Sequence, residues 1–295
     1  ACTEENVTQM QHALQVIYQK HSLGYRHDYD HEWQLLDVDM TGRPCGPKAE
    51  FATPGYFAHQ RNRRGRQVGY VEATWYEETV VARLFAGTTQ LNTALPGLLT
   101  AAERTLQLTG RQRRRTIVRI DSGGGSVDDI NWLLARGYQI HGKDYSGARA
   151  HNLAQTVSVW QPDPHNPARE MGWVVTPETP YCREVTRIAV RCRKKNGQWG
   201  IGVLLSTLTP HEVLWLTGLY DQDTQDPTLV LYAYVHFYDL RGGGVETAIK
   251  EDKQGLHTTK RYKKHFPAQQ VLLQLEGLAH NVIMWARQWL TPHCP

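Results

Sequence analysis

Apolar residues recur along the chain at two spacings, one typical of helices and one typical of strands. Helical spacing comes first, because apolar side chains recur every three or four positions through residues 5–20. Gln34–Met40 is a largely apolar run and predicts a buried strand. Gly69–Trp75 and Thr79–Phe85 are strand-like runs separated by three residues, which predicts an antiparallel hairpin.

The next segment alternates helices with strands. Residues 93–108 carry leucines at helical spacing, and Thr116–Ile120 is a largely β-branched run. A glycine-rich turn at 122–126 then leads into a helix that ends at Gly137, where glycine is a natural C-terminal cap. A short strand, Tyr138–His141, follows.

Beyond about residue 145 the pattern becomes rich in strands. The pair Asn196-Gly197 lies between two such runs and is a strong hairpin signal. Helical spacing returns at 228–253 and again at 267–290. The strand-like runs before that return are 156–160, 172–176, 184–193 and 199–206.

The order of these elements predicts an α/β fold with a mixed sheet, because an antiparallel hairpin precedes strands that are connected through helices. We expect an N-terminal helical segment, the first part of a core, a β-rich insertion and the second part of the core. Their expected bounds are 1–30, 31–145, 146–225 and 226–295.

Composition restricts the class of protein. The chain has 295 residues, of which 40% are hydrophobic, enough for a globular core. No apolar run reaches the roughly 20 residues of a membrane span, and no signal peptide is visible, so we expect a cytoplasmic protein without a membrane partner. The five scattered cysteines and the histidines lack zinc-binding spacing. A bound metal is therefore expected to have oxygen ligands.

The net charge is only +4, but the basic residues are clustered. Because clustered Arg and Lys side chains displace counterions from a DNA backbone, they predict contacts with phosphates. Taken alone, each cluster is also typical of a solvated turn. The clusters are Arg61, Arg63, Arg64 and Arg66; Arg111, Arg113, Arg114 and Arg115; Arg193, Lys194 and Lys195; and Lys260, Arg261, Lys263 and Lys264.

Two aspartates stand where predicted strands end. Asp39 and Asp121 each follow an apolar run and precede a turn. Since strand ends in an α/β sheet meet at one edge, we expect the two carboxylates to converge. Carboxylates without His or Cys favour Mg²⁺ or Mn²⁺. Two alternatives stay open: each aspartate simply begins a turn, or Asp37, which shares a strand face with Asp39, is the first ligand.

A third acidic position lies in the sequence YDLRGGGVETAIKEDK, which begins at Tyr238. On a helix, Glu246, Lys250 and Lys253 lie at i, i+4 and i+7 and share one face. With Tyr238 and Arg241 just before it, this face combines a carboxylate for a metal with cations for a phosphate. The same spacing is also typical of an exposed helix that is stabilised by a Glu–Lys pair.

This sequence resembles the Tyr-Arg-Glu-Lys signature of bacterial insertion-sequence transposases of the DDE type (the insertion-sequence-four-like group). The signature reads Y-x2-R-x3-E-x6-K, and this chain has one additional residue before Glu246. LLDVDMTG resembles the first-aspartate strand of the family, and TIVRIDSGGGSVDDINWLLARGY resembles its second-aspartate strand, turn and helix. The tail LAHNVIMWARQWL is similar to the closing helix, so the resemblance covers about residues 30–290.

The resemblance implies an RNase H-like core, a mixed sheet flanked by helices and interrupted by the β-rich insertion. Asp39, Asp121 and Glu246 would be the catalytic residues and would hold two Mg²⁺ (or Mn²⁺) ions. Members of the family often unstack a base against aromatic side chains. The tryptophans in or near the insertion are candidates for this, although each taken singly is more typical of core or hairpin packing: Trp160, Trp173, Trp199 and Trp215. The expected DNA contacts, from the resemblance and the basic clusters together, are Tyr238, Arg241, Lys250, Lys253, Arg63, Arg64, Arg113, Arg114, Lys260 and Arg261.

The implied reaction is metal-dependent DNA strand cleavage and strand transfer in cut-and-paste transposition. We expect a homodimer on transposon-end and target DNA, in a bacterial cytoplasm and associated with the nucleoid. End recognition in this family usually lies in an N-terminal domain, so we expect the chain to be a fragment. Two alternatives remain: a non-catalytic DNA-binding relic of a transposase, and an RNase H-like nuclease that acts on RNA.

Overall fold

The computed structural model describes residues 2–55, 57, 63–176, 179–220, 226–243, 254–256 and 262–291. The chain divides into two compact units. The first unit combines Ala1–Gln112 with Gly244–Pro295, and the second is Arg113–Gly243. The division into four segments that we expect from the sequence stays a prediction. None of the helices in the described part is both long and apolar enough to cross a membrane.

The helices and strands are numbered here in chain order. The helices are α1 Glu4–His21, α2 Leu91–Leu106, α3 Gly110–Arg114, α4 Val127–Ala135, α5 Gly147–Ala154, α6 Pro210–Leu216, α7 Pro227–Gly243 and α8 Phe266–Leu290. The strands are β1 Gln34–Pro44, β2 Thr53–Pro54, β3 Arg64–Ala73, β4 Glu78–Ala86, β5 Thr116–Ile120, β6 Gln139–Lys143, β7 Gln161–Asp163, β8 Asn166–Trp173, β9 Thr186–Arg193 and β10 Trp199–Ser206.

The strands of the first unit pair antiparallel around β3, which contacts β1, β4 and the short β2. The β3–β4 hairpin predicted from the sequence is confirmed, and Glu77 closes its turn in the left-handed conformation, with φ 54°. Helices cover both faces of these strands. Val68, Tyr70 and Leu84 pack with Leu273 of α8, whereas Gly69 on the opposite face lies directly beneath Leu98 of α2.

A buried carboxylate ties the helices of the first unit to its strands. Glu78, at the start of β4, has no exposed surface. Five donors from three parts of the unit surround it, so its charge is stabilised by hydrogen bonds. They are Ser22 Oγ, Tyr18 Oη at 3.0 Å, Leu23 N at 3.0 Å, Gly24 N at 3.1 Å and Trp285 Nε1 at 2.9 Å.

The second unit begins with a parallel pair, β5 and β6, which is connected through α4. Ser126 caps α4 by accepting from the Asp129 amide at 3.2 Å, and Gly137 follows the helix with φ 94°. The glycine at the end of the helix confirms the sequence prediction. Beyond β6 the strands continue antiparallel in the order β10, β9, β8 and β7. Asn196-Gly197 forms the predicted turn between β9 and β10, and Gly197 has φ 80°.

One strand predicted in the strand-rich region is absent, and two helices that were not predicted are present. Residues 156–160 form no strand, because the chain there completes the turn after α5, with the Thr156 hydroxyl donating to the Leu153 carbonyl at 2.8 Å. The predicted β-rich region also contains helices α5 and α6. Each has a capped N-terminus, at Ser146 and at Thr209 respectively, which is a stronger local signal than the strand-like composition around it.

The predicted fold class, α/β with a mixed sheet flanked by helices, is confirmed. Its RNase H-like character stays a prediction. The helix predicted over 228–253 is present as α7 up to Gly243. Residues 244–253 lie outside the described residues.

Candidate functional site

Asp121 lies immediately after β5, where the sequence predicted a carboxylate at a strand end. It caps a single 3-10 turn, Ser122–Gly124, by accepting from the Gly123 amide at 2.8 Å. The turn runs so close to β6 that a Cβ on Gly125 would be 1.9 Å from the Lys143 carbonyl oxygen. The glycines therefore permit a tight turn that holds the half-buried aspartate at the end of the strand.

Asp144 provides a direct comparison, because it follows the neighbouring parallel strand β6. Its side chain is fully buried, and Arg149 donates to both of its oxygens, at 2.7 Å and 2.6 Å. The Ser146 amide donates a third bond, at 2.8 Å. Asp144 is therefore committed to protein donors. Within the described part of the chain, Asp121 accepts only from Gly123, which leaves its second oxygen for a ligand.

Helix α7 is fastened to β5 and β6 by two buried polar side chains. Arg119 donates to the Phe237 carbonyl at 2.6 Å, and its guanidinium lies 4.9 Å from the centre of the Phe237 ring. His141, opposite Arg119 in the parallel ladder, lies 3.1 Å from the Tyr234 carbonyl and 3.1 Å from Ser206 Oγ. Arg119, two residues before Asp121, is therefore the residue of β5 that holds α7.

The environment of His141 keeps its imidazole neutral. Burial, reinforced by the positive charge of Arg119, lowers the pKa of His141 to about 3. A neutral ring has one donor and one acceptor. Since a carbonyl only accepts, Nε2–H donates to Tyr234, and Nδ1 accepts from the Ser206 hydroxyl.

Two predicted DNA contacts, Tyr238 and Arg241, lie on α7 after these anchors. The ring of Tyr238 is 6.3 Å from that of His141 and is half-buried. Arg241 is only 3% exposed, so a phosphate reaches its guanidinium only if the surroundings open. The DNA-binding roles of both residues stay predictions.

In the first unit, the two candidate first ligands occupy different environments on β1. Asp39 is half-buried, stands opposite Tyr70 of β3, and accepts from the Met40 amide at 2.7 Å. Asp37 is fully buried and stands directly opposite Glu72, which is 4% exposed. The greater accessibility of Asp39 favours it as a ligand, although Asp37 stays a rival.

Glu72 was not predicted from the sequence, although it forms a close pair of acids with Asp37. Residues directly opposite in an antiparallel ladder have Cβ atoms about 4.5–5.5 Å apart. In the sequence, Glu72 is visible only as an acidic residue within the strand-like run of β3. Its position opposite Asp37 follows from the β1–β3 register.

The predicted metal site is composed of carboxylates, which have the donor chemistry that Mg²⁺ and Mn²⁺ prefer. Asp39 belongs to the first unit and Asp121 to the second. Glu246, Lys250 and Lys253 lie outside the described residues. Among the residues that are described, no group of three or more His, Cys, Asp or Glu side chains could hold a metal ion. The three-carboxylate site and its two ions therefore stay a prediction.

The first basic cluster separates into exposed and buried members. Arg63 and Arg64 are exposed, as a DNA contact requires, although Arg64 also lies 3.3 Å from the Ala52 carbonyl. Arg66, in contrast, is 2% exposed. It donates to three backbone carbonyls, those of Glu50 at 2.7 Å, Lys263 at 3.0 Å and Lys264 at 2.6 Å. Arg66 therefore holds loops of the first unit together.

The remaining clusters also differ in exposure. Arg113 is half-buried and donates to the Arg136 carbonyl at 3.0 Å, whereas Arg114 is exposed. Arg193, Lys194 and Lys195 are exposed at the β9–β10 turn. Lys260 and Arg261, like Arg61, lie outside the described residues.

The tryptophans of the second unit have different neighbours. Trp160 and Trp199 both contact Arg191, whose guanidinium lies 4.2 Å and 4.6 Å from the two ring centres. Trp173 meets the ring of Tyr234 edge-on at 5.8 Å. Trp215 is 47% exposed. The structure therefore gives Trp160, Trp173 and Trp199 packing partners, and base stacking by any of the four stays a prediction.

Comparison with known proteins gives a distant likeness. No family model matches the chain, and no curated protein matches it. Among solved structures, it is similar to piggyBac transposase in a synaptic complex with hairpin DNA, with a TM-score of 0.36 and 11% sequence identity. The match covers 89% of this chain and 55% of that chain, so this chain spans about half the length of the protein it resembles.

Proposed function

We propose that the chain is the catalytic region of a DDE-type transposase, which cleaves and joins DNA strands with divalent metal ions. The observation that carries the proposal is Asp121. It ends a strand that pairs parallel to its neighbour, is fixed through one oxygen by a glycine-rich turn, and keeps the other oxygen for a ligand. The sequence that surrounds it also matches the second-aspartate segment of that family.

The anchoring of α7 supports the same proposal. Arg119 binds the backbone of α7 from a position two residues before Asp121. Helix α7 then continues through Tyr238 and Arg241 towards the sequence that contains Glu246. The strand that precedes Asp121 therefore holds the helix that precedes, in the sequence, the predicted glutamate.

In the proposed mechanism, Asp39, Asp121 and Glu246 hold two Mg²⁺ (or Mn²⁺) ions. The bound ions would supply activation of a water or a 3′-hydroxyl and stabilisation of the leaving oxygen. Asp121 contributes a carboxylate that is already oriented by the Gly123 amide. Arg119 and His141 fasten α7 through its backbone carbonyls. Tyr238 and Arg241, further along the same helix, would contact the phosphates of transposon-end DNA, Arg241 once its buried surroundings open.

The partners follow from the same proposal. We assign transposon-end and target DNA as substrates, a homodimer as the active assembly, and the bacterial nucleoid as the place of action. The exposed cations at positions 63, 64, 114 and 193–195 suit a DNA backbone. The insertion-sequence-four-like group is the proposed family, on the strength of the Tyr-Arg-Glu-Lys sequence.

Metal-dependent nicking of supercoiled plasmid tests the proposal. We expect nicking by the parent chain with Mg²⁺ or Mn²⁺, and a loss of about 100-fold or more for Asp121→Asn, because it removes a metal ligand. Asp128→Asn is the matched control, since Asp128 is exposed on α4 and its change in charge is the same.

The outcomes separate the proposal from its alternatives. Salt-dependent DNA binding by the parent without nicking, unchanged in Asp121→Asn, contradicts the enzyme and leaves the non-catalytic DNA-binding relic. Metal-dependent cleavage of RNA–DNA hybrids without cleavage of DNA contradicts the transposase in favour of the RNase H-like nuclease.

A further inference from the structure

The second unit contains a cleft between α5 and the loop that precedes β9. Its volume is about 370 Å³, within the range of small-ligand sites. The lining has two cationic side chains, two hydroxyl-bearing side chains and two apolar side chains. These residues are Arg149, Arg187, Thr176, Thr179, Leu153 and Pro180.

One of the two arginines is oriented before any ligand arrives. Arg149 donates through Nε and Nη2 to Asp144, which is fully buried and also accepts from the Ser146 amide. The planar guanidinium is thereby fixed, and its Nη1 has no hydrogen bond within the described part of the chain. Because Asp144 balances the charge of Arg149, the pair adds no net charge to the cleft. It provides hydrogen-bond donors for a ligand.

The second arginine brings the positive charge of the cleft. Arg187 donates to the Thr176 carbonyl at 3.1 Å, and no carboxylate among the described residues pairs with it. (Glu178 is close in sequence but outside those residues.) Burial raises the pKa of the nearby Tyr181 phenol to about 12, although the positive charges of Arg149 and Arg187 act to lower it.

We propose that this cleft binds the phosphate group of a nucleotide, either within a DNA strand or as a free nucleoside monophosphate. Guanidinium groups and hydroxyls are donors for phosphate oxygens, and Leu153 with Pro180 offers an apolar wall for a sugar or base. None of these residues is among the proposed metal ligands. The proposal does not depend on strand cleavage, because binding is measured without a divalent ion.

The binding of deoxythymidine 5′-monophosphate, of thymidine and of a short DNA duplex, measured by calorimetry in the absence of metal, tests the proposal. We expect the monophosphate to bind and thymidine, which lacks the phosphate, not to bind. Arg187→Gln should weaken phosphate binding about tenfold, the value of one charge-assisted hydrogen bond. Arg187 is the residue to change, because removal of Arg149 would leave Asp144 buried without its cation.

Two further variants make the test specific. Arg183→Gln is the matched control, because Arg183 has the same charge but donates to Tyr138 and Gln139, outside the cleft lining. Arg187→Lys keeps the charge and should recover part of the affinity, which distinguishes loss of a cation from misfolding.

The two sources of phosphate give different supporting results. If Arg187→Gln weakens binding of the monophosphate alone, the ligand is a free nucleotide. If it also weakens binding of the duplex, the ligand is the DNA backbone. Equal binding by Arg187→Gln and the parent, an equal loss in Arg183→Gln, or equal binding of thymidine and its monophosphate overturns the proposal.

Discussion

The buried His141 predicts a specific loss of stability in acid. In the folded chain its pKa is about 3, whereas an unfolded histidine titrates near the ordinary value of 6.5. Between these pH values the unfolded state binds a proton that the folded state excludes. The free energy of unfolding therefore falls as the pH is lowered through this window, and the contribution of His141 is intact above about pH 6.5.

The magnitude follows from the width of the window. Each pH unit between the two pKa values costs about 1.4 kcal/mol, so the full effect is about 5 kcal/mol. About 2–3 kcal/mol of it is expected between pH 6.5 and 4.5. This is a large part of the stability of an ordinary domain.

Urea unfolding of the parent and of His141→Gln, followed from pH 7.5 to pH 4.5, isolates this contribution. Other groups titrate in both chains, so the difference between the two free energies of unfolding is the informative quantity. We expect the variant to be less stable at pH 7.5, because it loses the bonds to Ser206 and Tyr234. Below pH 6.5 its free energy of unfolding should rise relative to that of the parent by about 1.4 kcal/mol for each pH unit of acidification.

A second variant checks that the effect belongs to the imidazole. His141→Asn also lacks a titrating group, so it must share the slope of His141→Gln even if its stability at pH 7.5 differs. A difference that does not change with pH would refute the reasoning, because it would mean that His141 takes up its proton equally in the folded and unfolded states.

Three further predictions concern other residues. Glu78→Gln should lower the free energy of unfolding by about 3 kcal/mol, because it replaces a carboxylate that accepts five hydrogen bonds. Urea unfolding measures this loss. An effect no larger than that of Glu77→Gln, a change at an exposed residue, would contradict the prediction. Gly125→Ala should lower the free energy of unfolding by at least about 2 kcal/mol, because the added Cβ would meet the Lys143 carbonyl. Gly147→Ala should be close to neutral, because a Cβ there meets nothing within 4 Å. Equal melting temperatures of the two variants would contradict the prediction. Lys253→Ala should lower the salt dependence of DNA binding by about one unit of slope, as the loss of one phosphate contact predicts; an unaltered slope would return Lys253 to an exposed helix face.

The elements that the sequence predicted well are those with a strong local signal. Strands β1, β3 and β4 contain largely apolar runs. The glycine-rich turn after β5 has a strand on one side and a capped helix on the other. Helix α5 was missed because only Ala150 and Ala154 of its eight residues are buried, so its apolar face is too small to produce helical spacing.

The features that the sequence could not predict depend on contacts between distant positions. Arg63, Arg64 and Arg66 look alike in the sequence, yet Arg66 is buried because the carbonyls of Lys263 and Lys264 reach it from almost two hundred residues away. The opposition of Asp37 and Glu72 likewise follows from the β1–β3 register. Neither arrangement has a local signature, because each is set by how separate segments pair.

The contrast between Asp121 and Asp144 has the same origin. Both follow strands of the same parallel pair, so their place at a strand end does not distinguish them. Only the position of Arg149 on α5 shows that Asp144 is already neutralised. Assignment of a carboxylate to a metal therefore depends on its hydrogen-bond partners as much as on its place at a strand end.

Cleavage of the chain by Fe²⁺ bound in place of Mg²⁺, with hydrogen peroxide as oxidant and ascorbate as reductant, tests the central claim most directly. The hydroxyl radicals that form as peroxide oxidises the bound Fe²⁺ cut the backbone beside the metal ligands. The account predicts cuts near Asp39, Asp121 and Glu246. They should be suppressed by excess Mg²⁺ and lost together in Asp121→Asn or Glu246→Gln but not in Asp128→Asn. Cuts that avoid one of these three positions, or that persist unchanged in Asp121→Asn, would contradict a shared metal site formed by the three carboxylates.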